Sequence, residues 1–200
     1  MSKPKKYKVI YADPPWYQKA GRAFNGYSCG DGKQDFNASG SSRDLPYKTM
    51  PIEDICALNV RELSADDSWL FVWVTNKYLP YANQVITAWG FTYSTTLVWC
   101  KNTMGGGMGG AFGVSTEYLI VARKGRPKPK KRIKTTWFNV KRQYVGGYPC
   151  HSKKPDFFRE LIESVCDGDK LEMFARSAPE GWDVFGNEAP NSIEIGAKND

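Results

Sequence analysis

Histidine and closely spaced cysteines are scarce in this sequence. It has one histidine, His151, and five scattered cysteines without a C-x-x-C pair, so a zinc site built from these residue types would have too few ligands. An odd number of scattered thiols is typical of a reducing compartment. We therefore expect no metal centre and a cytoplasmic location, and we assign no role to His151.

Long hydrophobic runs are also lacking. The longest strongly apolar stretch is WLFVWV, which is far too short to cross a membrane. The apolar run after the basic N-terminus is too short for the core of a signal peptide. A chain of 200 residues can fill one core well. We therefore expect a single domain over residues 1–200 and no membrane partner.

Acidic residues are outnumbered by basic ones. Asp and Glu total 21 against 28 Lys and Arg, which gives a net charge of +7 and a pI of about 9.1. This balance favours an acidic partner, and nucleic acid is the first candidate. A cationic surface without a specific partner is the alternative.

Apolar runs rich in β-branched and aromatic residues alternate with helical patterns. Strands are predicted over 8–12, 68–74, 94–100, 117–122, 171–175 and 182–185, and helices over 51–58, 78–89 and 155–166. This alternation predicts an α/β domain with a largely parallel sheet. The polar segment 18–43 is typical of a lid, a binding loop or a disordered segment, and the residues from 190 on are predicted to be frayed.

A glycine cluster fits the dinucleotide pattern G-x-G-x-x-G through Gly105, Gly107 and Gly110. That pattern requires a following helix and an acidic residue about 20 positions on, whereas here a strand and a basic segment follow. We therefore reject dinucleotide binding. A hairpin connection and a loop that closes over a substrate both remain open.

The basic segment 123–134 (RKGRPKPKKRIK), which we call the basic loop, is interrupted by prolines, so we expect no regular element in it. TWFNVKRQY follows closely. Cations for phosphates, interleaved with rings for bases, favour nucleic-acid contact, and a solvated surface loop is the alternative. The candidate residues of both stretches are Lys128, Lys130, Lys131, Arg132, Trp137, Phe138, Lys141, Arg142 and Tyr144.

The segment VIYADPPW places an acid, two prolines and a tryptophan after a buried strand. Proline pushes the preceding Asp13 into an extended conformation, and Pro14 and Pro15 fix two backbone angles without offering an N–H. The Asp13 carboxylate and the Pro14 carbonyl would accept the two hydrogens of a planar ligand's amine, with Trp16 packed against its plane. A Pro-Pro turn with a merely exposed Asp13 is the alternative.

The DPPW motif resembles the signature of S-adenosylmethionine-dependent methyltransferases that act on the N6 amine of adenine. This branch includes the eukaryotic messenger-RNA adenosine methyltransferase subunits and bacterial and phage DNA enzymes. Four further segments are similar in order: LPYKTMPIEDICAL, WLFVWVTNKYLPYANQVITAWGF, TLVWCK, and HSKKPDFFRELIE with KLEMFARSAPEGWDVFGNE. The resemblance implies a circularly permuted, Rossmann-like sheet of seven strands with one antiparallel strand.

The resemblance also implies residue roles. The catalytic motif is Asp13, Pro14, Pro15 and Trp16. The substrate would be contacted by Trp16 and the basic loop, together with Tyr47, Trp99 and Lys101. Lys154 would bind the methionine carboxylate of S-adenosylmethionine, and the cofactor site would be completed by Asp13, Glu172, Arg176, Asn187 and Glu188. Glu172 also stands where a polar residue near the carboxyl end of a strand often faces the ligand crevice.

The function that the resemblance implies is adenine N6 methylation of DNA by a bacterial or phage-encoded enzyme of the cytoplasm. An RNA adenine N6-methyltransferase is the alternative within the enzyme class. A catalytically silent nucleic-acid-binding subunit is the alternative outside it. A homodimer is possible because members of this family often pair.

Overall fold

The computed structural model describes residues 5–17, 49–101, 111–142, 144–145, 148–149, 153–187 and 189–195. The predicted loop at 18–43, the glycine cluster, Tyr47, His151 and Glu188 lie outside these ranges. The strands are β1 Tyr7–Ala12, β2 Ser64–Val74, β3 Thr92–Cys100, β4 Thr116–Lys124, β5 Trp137–Asn139, β6 Tyr144–Val145, β7 Tyr148–Pro149, β8 Lys170–Met173 and β9 Asp183–Phe185. The α-helices are α1 Ile52–Ala57, α2 Val60–Leu63, α3 Ala82–Ala88 and α4 Asp156–Val165, and a 3₁₀ helix, Asn76–Tyr81, precedes α3.

Seven strands form one sheet in the order β5-β3-β4-β2-β1-β8-β9, and β6 pairs with β7 in a separate ribbon. Strand β4 runs antiparallel to β2 and β3, and the remaining neighbours in the large sheet are parallel. This confirms the mostly parallel sheet with one antiparallel strand. The six parallel strands end at one edge, which we call the Asp13 edge because Asp13 follows β1 there; the opposite edge is the far edge.

Helices cover the large sheet on both faces. Alternate β1 side chains point to opposite faces, so Ile10 packs with Ile55 of α1 and Val85 of α3, whereas Val9 packs with Phe158 of α4. All five side chains are completely buried. This two-sided burial explains why the central strands are almost continuously apolar. No helix in the described ranges is long and apolar enough to cross a membrane.

The helix predicted over 78–89 is divided in the structure. The chain first forms the 3₁₀ helix Asn76–Tyr81, and only Ala82–Ala88 is α-helical. Pro80 lies inside the first part. It lacks an N–H and disfavours the α conformation at the residue before it, so the regular pattern begins only after it. The prediction of one continuous helix was therefore wrong.

Strand β5 was missed, and it changes how TWFNVKRQY is understood. Strand β5 pairs in parallel with β3. With only three residues, β5 is too short to show a recognisable alternation of polar and apolar side chains. Phe138 points into the core, whereas Trp137 is 63% exposed. The basic segment also begins within β4, because Arg123 and Lys124 are the last residues of that strand. Our expectation of no regular element there was wrong at these two positions.

The predicted fraying of the tail is corrected up to residue 195. Ser192 exchanges two hydrogen bonds with Val184 of β9, one from each backbone N–H, at 2.8 and 3.1 Å. The Asn191 side chain accepts a bond from the Gly186 N–H at 2.7 Å. Ile193 and Ile195 pack against the core. Polar residues that bond to a strand end order this segment although its composition resembles a loop.

Candidate active site

Asp13 stands directly after β1, where several strands end side by side. Strand β1 lies between β2 and β8 and is parallel to both. The antiparallel strand β4 begins at the same edge, with Glu117 opposite Trp99 of β3. Because the carboxyl ends of parallel strands are the usual ligand crevice of an open α/β sheet, the fold brings the DPPW motif to the position where a ligand would bind.

The DPPW segment is a tight turn with most of its backbone groups engaged. The Asp13 N–H faces the Met173 carbonyl at 3.4 Å, and the Met50 N–H donates to the Pro15 carbonyl at 2.8 Å. The Trp16 N–H donates to the Pro14 carbonyl at 2.8 Å. A carbonyl oxygen has two lone pairs, so Pro14 retains capacity for one further donor.

Trp16 differs from its expected position beside the ligand plane. Its ring is only 4% exposed and stacks on Tyr78 with a centroid distance of 5.1 Å and an interplanar angle of 21°. Its indole N–H donates to the Trp73 carbonyl at 2.9 Å. These contacts attach the turn to β2 and the 3₁₀ helix, so Trp16 holds the turn from inside the core.

A chain of alternating charges surrounds Asp13. Lys154 Nζ lies 2.8 Å from Asp13 Oδ2 and 3.4 Å from Glu117 Oε2, and Lys101 pairs with the other oxygen of Glu117. Of the four side chains, Asp13 is the most exposed at 28%, and the others are 11 to 15% exposed. The network therefore opens to solvent at Asp13.

Burial and neighbouring charges set the protonation of this network. Burial raises the pKa of Asp13 and Glu117 raises it further, while Lys154 opposes both. Burial also raises the pKa of Glu117, but Lys154 and Lys101 outweigh it and hold that pKa below its usual range. The two carboxylates likewise hold the pKa of Lys154 above its usual range against burial. Asp13 is thus the carboxyl with increased proton affinity, and Lys154 and Glu117 are stabilised as ions.

Lys154 and Arg176, both assigned to the cofactor, lie close to Asp13. Lys154 contacts it directly, and the Arg176 charge lowers the pKa of both Asp13 and Lys154. Arg176 and Asn187 follow β8 and β9, which end at the Asp13 edge beside β1. A buried ammonium, a guanidinium and an amide suit a carboxylate and a ribose. The residues present therefore fit the chemistry of S-adenosylmethionine.

The backbone beneath Arg176 and Asn187 has little freedom. A Cβ at Gly186 would lie 2.2 Å from the Ala175 carbonyl oxygen, so only glycine allows this close approach. Phe174, between β8 and Ala175, has a φ of 62°, a conformation that costs a non-glycine residue about 1–2 kcal/mol. Such strain is typical of ligand-binding turns.

Glu172 and Trp99 make internal contacts. Arg159 of α4 binds the Glu172 carboxylate through two nitrogens at 3.0 and 3.3 Å, and burial raises the pKa of Glu172 against this pairing. Trp99 is 2% exposed and donates its N–H to the Val140 carbonyl at 2.8 Å. Trp99 therefore packs behind the charged network rather than lining an open surface.

The basic loop lies away from Asp13. The Lys130 N–H donates to the Val165 carbonyl at 2.7 Å, which places Lys130 at the end of α4. Lys154, beside Asp13, lies at the other end of this helix of 10 residues, about 15 Å away along its axis. The structure thus brings Asp13, Lys154 and Arg176 together but does not bring Lys130 to them.

Glu117 is the site residue that the sequence reasoning missed. We treated it as the first position of an apolar strand, EYLIVA. A charged residue that begins an otherwise buried strand was the available signal, but only the sheet order shows that β4 enters at the Asp13 edge. The partner lysines lie 16 residues before and 37 residues after it in the sequence (117 − 101 and 154 − 117).

Comparisons with known proteins agree with this architecture. The MT-A70 family model matches residues 7–188. The type II methyltransferase M.MunI of a Mycoplasma species is 33% identical over 198 residues, which cover 96% of this chain and 82% of that protein. The N(6)-adenosine-methyltransferase MT-A70-like protein of Arabidopsis thaliana is 27% identical over 189 residues, 90% of this chain and 23% of that protein.

A third relative is the human N(6)-adenosine-methyltransferase catalytic subunit METTL3. It is 26% identical over 195 residues, which cover 92% of this chain and 28% of METTL3. The chain thus spans about a quarter of the length of the plant and human relatives but most of the length of M.MunI. The family match includes the DPPW turn, Lys154 and Arg176, which confirms the resemblance: the chain belongs to the MT-A70 family of methyltransferases.

Proposed function

We propose that the chain transfers a methyl group from S-adenosylmethionine to the N6 amine of adenine in DNA. The observation that carries this proposal is the pairing of Asp13 with a buried lysine at 2.8 Å in a turn where the Pro14 carbonyl retains a free lone pair. Acceptor oxygens on two adjacent residues suit the two hydrogens of an exocyclic amine. When bound, S-adenosylmethionine supplies a methyl group on a positively charged sulfur.

Asp13 and Pro14 act by positioning. Accepting both amine hydrogens directs the nitrogen lone pair out of the plane of the base, which is the geometry that a direct displacement requires. The stiff prolines and the buried Trp16 keep these oxygens in place before the substrate arrives. Positioning of this kind costs no reorganisation during the reaction.

Asp13 is also suited to accept a proton. After methyl transfer the nitrogen carries one proton too many, and burial raises the pKa of Asp13, which makes this carboxylate a better acceptor than an ordinary aspartate. The side chain is 28% exposed, so the proton can pass on to water. Lys154 and Glu117 keep the carboxylate oriented.

The choice of DNA rests on relatives and therefore on analogy. M.MunI, named as a type II methyltransferase, aligns along 82% of its length, whereas METTL3 aligns along 28%. An RNA adenine N6-methyltransferase is the second candidate because METTL3 and the plant protein are named as adenosine methyltransferases. The complete DPPW turn and its charged partners favour an active enzyme over a silent subunit.

The exposed cations of the basic loop support a nucleic-acid partner. Lys128, Lys130, Lys131 and Arg132 are all exposed, and none belongs to an ion pair within the described ranges. Lysine and arginine that neutralise phosphates displace counterions from the polymer. A duplex passing over this loop would need its target adenine flipped out to reach Asp13.

A paired assembly and a cytoplasmic location complete the proposal. A homodimer would enlarge the surface offered to DNA, and a bacterial or phage DNA substrate lies in the cytoplasm. Size-exclusion chromatography with light scattering tests the assembly, since a mass near 22.5 kDa at micromolar concentration would contradict the dimer.

Labelled cofactor tests the reaction itself. The protein is incubated with tritiated S-adenosylmethionine and matched DNA or RNA oligonucleotides, which are then digested to nucleosides. We expect the label in N6-methyldeoxyadenosine with DNA. Label only with RNA would support the second candidate, and failure to bind the cofactor in calorimetry would support the silent subunit.

Asp13→Ala is the critical variant in this assay. We expect methyl transfer to fall by about 10³-fold or more, because positioning and acceptance of the proton are lost together. Asp169→Ala is the matched control, since Asp169 lies at the far edge with a 60% exposed side chain. Full activity of the Asp13→Ala variant would remove the assigned role.

A further inference from the structure

A cluster of three tyrosines and a lysine adjoins the DPPW turn. Tyr17 follows Trp16 directly, and Lys77, Tyr78 and Tyr81 belong to the 3₁₀ helix that follows β2. Because β2 is parallel to β1, this helix begins at the Asp13 edge. We call these four residues the tyrosine–lysine cluster; neither the family match nor the sequence patterns assign it a role.

Contacts inside the cluster fix its geometry. Tyr78 stacks on the buried Trp16, and its hydroxyl donates to the Tyr17 carbonyl. Lys77 Nζ lies 4.9 Å from the centroid of the Tyr78 ring and 5.8 Å from that of Tyr17, and it also faces the Tyr17 carbonyl at 3.4 Å. The lysine is therefore held between two rings instead of moving freely in solvent.

The residues of the cluster differ in their exposure to solvent, so that one ring is buried and the others lie at the surface. Tyr78 is 5% exposed, whereas Tyr17 and Tyr81 are 47% and 49% exposed. Lys77 is exposed as well, and within the described ranges no carboxylate lies at ion-pair distance from it. Within the described ranges, the molecule thus presents the half-covered Tyr17 ring beside a fixed cation without an ion partner. The half-covered Tyr81 ring adjoins Tyr78, with a centroid distance of 6.2 Å.

The cluster lies close enough to Asp13 to contact the nucleotides next to the target. Tyr17 lies four positions after Asp13 (17 − 13), and an extended chain spans at most about 14 Å over that length. Successive phosphates along one strand follow each other at about 3.4 Å of helix axis. The neighbours of an adenine placed at Asp13 therefore come within reach of Tyr17, and Tyr81 adjoins the same cluster through Tyr78.

We propose that the tyrosine–lysine cluster binds the nucleotides that directly flank the target adenine. Tyr17 and Tyr81 stack on unpaired bases, and Lys77 contacts a phosphate. Rings with a neighbouring cation are the composition that binds single strands without reading their sequence. The proposal rests on the proposed function, because it assigns the cluster to the substrate of that same site.

The test uses single-stranded DNA with one adenine and two derivatives that lack the base on the 5′ or the 3′ side of it. For the wild type we expect at least one missing base to raise KM about tenfold. The double variant Tyr17→Ala/Tyr81→Ala should show that increase already with intact DNA and little more with the derivatives. Tyr93→Ala is the control, because Tyr93 is 50% exposed on β3 near the far edge.

Two further measurements separate binding from folding. The conservative variant Tyr81→Phe keeps the ring and should retain the wild-type KM, and cofactor affinity in calorimetry should be unchanged in every variant. Lys77→Gln should weaken DNA binding and reduce the slope of log K against log salt by about 0.7. A Tyr17→Ala/Tyr81→Ala variant that responds to the missing bases as the Tyr93→Ala variant does would overturn the proposal.

Failure of the cluster and failure of the proposed function give different results. If the wild type labels no adenine in any substrate, the proposed function is wrong and the cluster loses its assignment with it. If the wild type labels adenine but a missing flanking base changes KM by less than about twofold, the function stands and the cluster is not a nucleotide site. A tenfold change that disappears in the double variant supports both.

Discussion

The Asp13 edge and the basic loop are both rich in charge, but they use it in opposite ways. At the Asp13 edge, two carboxylates and two lysines alternate within contact distance, and three of these side chains are no more than 15% exposed. In the basic loop, positively charged side chains follow one another without acidic residues between them, and all the cations from Lys128 to Lys134 are exposed. One region has its charges balanced and the other leaves them unbalanced.

This difference indicates what each region can do. Breaking a buried ion pair leaves an uncompensated charge and typically costs about 3–5 kcal/mol, so the charges at the Asp13 edge can hold atoms in fixed positions. An exposed ion pair contributes only about 0–1 kcal/mol to stability, whereas unbalanced surface charges act over a Debye length of about 8–10 Å and attract polyanions. The Asp13 edge is therefore suited to positioning the reacting groups, and the basic loop is suited to attracting the nucleic acid.

Among changes in ligand affinity, the largest should follow from removing the central cation of the network. Lys154→Met deprives both Asp13 and Glu117 of their shared partner, and we expect the dissociation constant for S-adenosylmethionine to rise about 100-fold. DNA affinity should change less than about threefold, since Lys154 is 12% exposed and lies apart from the basic loop. Calorimetry measures the first value and fluorescence anisotropy the second.

Lys101→Met is the matched control, because Lys101 is equally buried, 11% exposed, and within the described ranges pairs with Glu117 alone. Its effect on cofactor affinity should be at least tenfold smaller than that of Lys154→Met. Equal losses of cofactor and DNA affinity in the Lys154 variant would contradict the division between the two regions.

A smaller effect, visible mainly in the pH profile, should follow from Glu117→Gln. Glu117 raises the pKa of Asp13, so removing its charge should lower that pKa. The reaction needs the Asp13 carboxylate, and activity is therefore lost as the pH falls through this pKa. The acidic limb of kcat/KM against pH, which reports the free enzyme, should move to lower pH in the variant, with kcat near neutral pH reduced about tenfold.

Glu160→Gln is a suitable control for this profile, because Glu160 lies on the exposed surface of α4. Its acidic limb should coincide with that of the wild type. A limb that stays in place in the Glu117 variant would mean that Asp13 does not titrate in the observed range, and the proton-accepting role would have to be abandoned.

The two regions also differ in how far their structure could be predicted. The DPPW turn was anticipated because prolines restrict the backbone locally, and most strands of the sheet were recognised because they are buried and apolar. The position of Glu117 depended on the fold: it reaches Lys154, the partner of Asp13, only because β4 is inserted antiparallel between β2 and β3. No local pattern carries that information.

Trp16 shows, for a single residue, the same limit on what local sequence can predict. The sequence itself puts Trp16 next to the turn, but the direction of its ring depends on the Tyr78 ring and the Trp73 carbonyl, which come from a distant part of the chain. In the basic loop, by contrast, the exposure of the cations from Lys128 to Lys134 follows directly from composition. Beyond the loop, β5 was missed because its three residues give no period. Local chemistry predicts a turn or a solvated loop, and tertiary pairing determines which groups meet.

The smallest effect on catalysis, and the sharpest on salt dependence, is expected in the basic loop. Replacing Lys128, Lys130, Lys131 and Arg132 together by Gln removes four exposed cations without ion partners in the described ranges. If each neutralises one phosphate of duplex DNA, the slope of log K against log salt should fall by about 3.6, from about 0.9 per contact. The kcat at saturating DNA should change less than about twofold, because Lys130 lies about 15 Å from the Asp13 end of α4. The slope is measured by anisotropy between 50 and 200 mM salt, and an unchanged slope would mean that these cations are only solvated. A large fall in kcat in the same variant would mean that DNA binding by the basic loop and substrate positioning at the Asp13 edge are not separate.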